Sequence, residues 1–102
     1  MKTSELTGVA LDWAVAKAIG EYKPVAVPKY SSDWAQGGPI VEREKIDLSW
    51  DVELAHKDGW WRAEIDVMYE SEGQTPLIAA MRCYVASKLG DEVEVPDELL
   101  GE

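Results

Sequence analysis

An α+β fold is what this sequence predicts, on two changes of hydrophobic period and one set of helix punctuation marks. A helical stripe occupies the first twenty residues, period-two alternation takes over from Ile46, and Gly73-Gln74-Thr75-Pro76 reopens a helix that Gly90 closes. The expected architecture is a small antiparallel sheet on a hairpin of residues 46–54 and 60–69. N- and C-terminal helices pack with it as a helix/sheet sandwich, and a third short strand is available near 25–27. The 102 residues are read as one domain with an acidic C-terminal tail over 91–102.

Ser4 and Thr7 are the N-cap candidates for a first helix over about residues 5–19, where Leu11, Ala14, Val15, Ala18 and Ile19 recur at helical spacing before Gly20. Trp13 widens that apolar face. Pro24 and Pro28 bracket Val25-Ala26-Val27, and proline cannot donate to a ladder, so this run is an edge strand or an extended loop. In Tyr30-Ser31-Ser32-Asp33-Trp34-Ala35-Gln36-Gly37-Gly38-Pro39, Ser32 or Asp33 caps a turn. Two adjacent glycines, each about 1 kcal/mol worse than alanine in a helix, predict a kink. A short helix over 40–45 follows.

Ile46, Leu48, Trp50, Val52 and Leu54 then alternate with Asp47, Ser49, Asp51 and Glu53, the pattern of a half-buried strand. Trp61, Ala63, Ile65, Val67 and Tyr69 repeat it, and Asp58-Gly59 between the two runs favours a tight antiparallel hairpin. Glu70 to Gln74 reads as a polar connection. Thr75 caps the last helix, Pro76 suits its first position, and Leu77, Ile78, Met81, Tyr84, Val85 and Leu89 form its apolar stripe. Beyond it, Leu99 and Leu100 are placed to dock on the body.

Twenty acids against ten bases give a net charge of −10, and six of the acids lie beyond Lys88, the last base. Such a balance repels nucleic acid and anionic lipid while suiting a basic protein partner. A lone cysteine, Cys83, excludes an intramolecular disulfide, and no run approaches the length of a membrane span, so the cytoplasm is the expected compartment.

Ser31 to Ile40, with Thr75-Pro76-Leu77-Ile78-Ala79-Ala80-Met81-Arg82-Cys83, carries a resemblance that also takes in Lys2 to Gly8, Leu11 to Ala16 and Leu89 to Pro96. The chain resembles the NinX-like proteins of lambdoid phages and of prophages in enteric bacteria. That resemblance implies a phage accessory protein acting in the host cytoplasm, and it brings no catalytic residues to carry over. It also implies helices on both faces of the sheet, whereas the polar alternation of both strands implies that the terminal helices share one face.

No chemical constellation stands out from packing. His56 is most simply a loop residue, and a metal site needs three or four converging ligands. Cys83 among alanines reads as a small packing residue, and Asp47, Asp51, Glu64 and Asp66 as the wet side of the hairpin. Gly37-Gly38-Pro39 lacks the Lys-Ser/Thr of a phosphate loop. No catalytic, cofactor-binding or metal residue is therefore assigned, and no cofactor is expected. The one constellation kept as a contact surface is Tyr30, Asp33, Trp34, Gln36, Gly37 and Gly38, weighed against a tryptophan that merely pins its loop to the core. The leading reading is a non-enzymatic module that binds a host or phage protein, with no direct nucleic-acid or membrane partner. The alternatives are an acidic decoy of a nucleic-acid-binding protein, a small ligand-binding or enzymatic domain using Tyr30 to Trp34, and a homodimer formed through surplus tryptophan surface.

Overall fold

The structure, a computed structural model, describes residues 1–20, 27–51 and 60–100, excepting the side chains of Glu98 and Leu100. Its first helix, α1 (Gly8–Ile19), starts later than the stripe predicts, because Thr3–Glu5 closes a separate 3-10 turn and Leu6 is extended. Thr7 holds the N-cap position without a side-chain capping bond, and Gly20 closes the helix at φ 90°. The expected strand at 25–27 falls mostly outside the described residues, and Val27 belongs to no strand.

Where a kink and a short helix over 40–45 are predicted, one continuous helix, α2 (Trp34–Glu44), passes through Gly37, Gly38 and Pro39. The Asp33 carboxylate caps it by accepting the Ala35 N–H at 2.9 Å. Gly37 serves close approach: a Cβ there would run into the Tyr30 carbonyl and lie 2.8 Å from Leu77 Cδ2. At the other end Lys45 takes a left-handed φ of 54°, and the Ile46 N–H donates to the Val41 carbonyl at 3.0 Å.

Three antiparallel strands, β1 (Asp47–Asp51), β2 (Trp60–Ile65) and β3 (Tyr69–Gly73), follow in spatial order β1-β2-β3. The predicted hairpin pairs Leu48 with Ala63 and Trp50 with Trp61, so the apolar residues share a face. Its turn, with Asp58-Gly59 and His56, lies outside the described residues, as do positions 52–54 of the first strand. The second strand does not reach residue 69. It ends at Ile65, the chain reverses through residues 66–68, and the stretch read as a polar connection is β3. Alternation of Ile65, Val67 and Tyr69 continues across the reversal and hides it. Thus the third strand among the described residues is the one that follows the hairpin.

The organising element is α3 (Pro76–Leu89), capped by the Thr75 hydroxyl, which accepts the Ile78 N–H at 3.1 Å. Its expected one-sided stripe is corrected to burial on nearly all sides: Leu77, Ala79, Ala80, Met81, Arg82, Cys83, Tyr84 and Val85 are all buried. A helix apolar all round belongs in the middle of a molecule, and α3 contacts α1, α2 and all three strands. On its sheet side Cys83 Sγ lies 3.4 Å from the Tyr69 carbonyl. Gly73 approaches so closely that a Cβ would lie 2.7 Å from the Ala79 nitrogen and Ile78 Cγ2. Since α1 packs chiefly against α3, the two terminal helices form successive layers and do not share the sheet. The sheet's other face exposes Asp47, Ser49, Glu70 and Glu72, and no helix among the described residues covers them.

Past Gly90, residues 91–93 run antiparallel to residues 1–3. The Met1 ammonium donates to the Val93 carbonyl at 3.0 Å, the Val93 N–H returns to Met1 at 2.9 Å, and Thr3 Oγ1 donates to the Gly90 carbonyl at 2.6 Å. Val93 is buried, and Leu99 of α4 (Asp97–Leu100) packs against the core. No helix among the described residues is long and apolar enough to cross a membrane.

Candidate functional site

The six residues of the expected contact surface separate into two groups. Tyr30 and Gly37 are buried against one another, and Gly38 is half-buried. Asp33, Trp34 and Gln36 are exposed, with the Asp33 carboxylate committed to its cap. Trp34 is 51% exposed, and its ring reaches back along α2: a Cβ on Gly38 would sit 3.6 Å from Trp34 Cε3. The segment is therefore both a buried anchor and an outward aromatic.

Two elements hold it there. In α1 the buried Asp12 carboxylate accepts the Ser31 backbone N–H at 2.8 Å. Burial pushes Asp12 above the usual carboxylate range, while the Ser31 bonds and the nearby Lys29 pull it down. On the other side lies the start of α3. Ser31, Ser32, Trp34, Thr75, Pro76, Leu77 and Ile78 line a groove of about 270 Å³ between the two helix starts. Its lining has no charged side chain, and the Thr75 hydroxyl is occupied as a cap.

A second aromatic pair lies on the sheet. Ile78 touches Gly73, Gly73 pairs with Trp61, and Trp61 meets Trp50 edge-to-face with centroids 5.6 Å apart. Trp50, expected on the covered side of the sheet, is 49% exposed. It sits on the apolar face, but on the edge strand β1, which α3 covers far less than it covers β2 and β3. Sequence reasoning found Trp34 and missed Pro76 and Ile78 as its neighbours; their apolar character at a helix start was the available signal.

The reactive side chains elsewhere are built into the frame. Arg82 donates from Nε to the Leu6 carbonyl at 2.8 Å and from Nη1 to the Glu72 carbonyl at 2.9 Å, and its burial lowers its pKa. Desolvation pushes the Cys83 thiol up to about 11, which keeps it protonated at neutral pH. A cleft of about 330 Å³ lies between Lys2 to Ser4, Glu70-Ser71, Ala86 and Asp91-Glu92. No group of three potential metal ligands occurs among the described residues.

Residues 2–88 match the protein family described as Bacteriophage P22, NinX. No curated protein matches the chain.

Proposed function

The chain belongs to the NinX family of bacteriophage P22, and from that membership we propose that it is a phage accessory protein that binds a host or phage protein in the host cytoplasm and performs no catalysis. The observation that carries this reading is the half-exposed Trp34 standing over an uncharged groove, with the half-exposed Trp50 on the sheet as a second outward aromatic. Exposed aromatics beside a shallow apolar depression suit a protein anchor. Two polar groups at the groove support this, since the Thr75 hydroxyl caps α3 and the Ser31 backbone N–H is held by Asp12. The test is affinity capture on the tagged protein from infected host cells, with Trp34→Ala beside it. A partner held by the wild type and lost from an equally stable variant supports the reading; identical captures from both remove it.

One observation favours a second reading, the acidic decoy. Asp47, Glu64 and Glu70 stand directly opposite one another across the three strands, a like-charge row that Arg62, 3.7 Å from Glu70, offsets in part. A cationic groove on a nucleic-acid-binding protein would relieve it. Binding that fades steeply with salt and survives Trp34→Ala would select this reading over the first.

A further inference from the structure

The turn between β2 and β3 breaks a rule that nothing inside the molecule explains. Asp66 and Val67 both have φ 53°, and the Met68 N–H donates back to the Ile65 carbonyl at 3.1 Å. Two successive left-handed residues are the signature of a tight hairpin, where Asn-Gly or Asp-Gly is the unstrained choice. Aspartate tolerates the first position; a β-branched valine in the second is an outlier. That valine is 90% exposed and Met68 is 77% exposed, so neither side chain is retained for packing. Strain kept at a surface position points outward.

The surroundings define what would meet these two side chains. Glu64 pairs with Glu70 one rung from the tip, and Asp66 lies in the turn. Arg62 reaches one of these acids, its Nε lying 3.7 Å from Glu70 Oε2, and the acids Glu64, Asp66, Glu70 and Glu72 still outnumber it around the tip. Such a tip repels an anionic lipid surface and a second copy of this chain, which carries −10 overall. A protein with lysine and arginine around an apolar hollow complements it.

We propose that the β2–β3 turn is a docking plug: Val67 and Met68 enter an apolar pocket on a partner protein, and Glu64, Asp66 and Glu70 meet that pocket's basic rim. This rests on the reading of the protein as a binding module, and it assigns the contact to a surface separate from Trp34.

The test places the photocrosslinker benzoylphenylalanine at Met68, at Trp34 and, as an exposed control, at Glu5, in the full chain within infected cells, and maps the crosslinked peptides. The expected result is one partner captured at position 68 and not at 5, through a peptide lining an apolar pocket flanked by Lys or Arg. Binding of that purified partner then falls about tenfold in Met68→Ser. It loses most of its salt dependence in the triple variant Glu64→Gln, Asp66→Asn, Glu70→Gln. Val67→Gly binds more weakly while melting no lower than the wild type, which separates lost contact from lost fold. Capture at position 34 but not at 68 overturns the plug and leaves the binding module standing, whereas capture at neither removes both. A mapped pocket without basic residues overturns the plug, as does co-sedimentation with phosphatidylcholine vesicles that Met68→Ser abolishes.

Discussion

Helix α3 carries an arginine in its buried interior, and the β2–β3 turn carries a valine at a left-handed φ. In α3 the anomaly has an internal answer: the Arg82 guanidinium satisfies two carbonyls, one before α1 and one in β3, so a charge on the central helix ties the two chain segments on either side of it. At the turn nothing internal answers, because Val67 and Met68 lie in solvent. The contrast separates two kinds of local irregularity. One is compensated by the fold it stabilises, and the other needs a compensation from outside.

The largest test of that contrast is Arg82→Ala, which removes two charge-assisted donors and orphans the Leu6 and Glu72 carbonyls. It is expected to cost about 3 kcal/mol, measured by chemical denaturation. Next comes a pair on α2. Gly37→Ala drives a methyl into the Tyr30 carbonyl and is expected to cost about 2 kcal/mol. Gly38→Ala meets only the Trp34 ring at an ordinary contact distance and should gain up to about 1 kcal/mol from helix propensity. Equal effects at the two glycines would refute the close-approach argument. At the turn the sign reverses: Val67→Gly relieves the left-handed strain, and after the greater freedom of an unfolded glycine is deducted the gain is about 0.5–1 kcal/mol. A loss of similar size would mean that the valine is packed, and the distinction between the regions would vanish. The smallest effect is an expected null. With its thiol held near 11, Cys83 should resist iodoacetamide at pH 8 in the native protein and react once urea unfolds it.

What the sequence made legible follows the same division. Thr75, Pro76 and Gly90 mark α3 to the residue because caps are local chemistry. Alternation gives the face that Leu48, Trp50, Trp61 and Ala63 share but not their register, since a tight turn at Asp58-Gly59 would set Trp50 against Val67 and the structure sets it against Trp61. The end of β2 was invisible because Val67 keeps the alternation going and supplies no turn chemistry. The continuity of α2 was invisible because a glycine pair looks like a break until Tyr30 and Leu77 are seen against Gly37. Asp12 and Arg82 look like wet-face residues in one dimension, and only the approach of segments far apart in the chain makes them anchors. Of the contact surface, Trp34 was legible and its groove was not, since the other wall comes from a helix start some forty residues later.

The pairing of residues 1–3 with 90–93 bears on the order of assembly. Synthesis proceeds from the amino end, so the opening segment waits for acceptors 92 positions away while the hairpins and helices between them close over much shorter loops. That clasp is expected to close late in folding, and its amides to be among the first to exchange with deuterium when the native protein breathes.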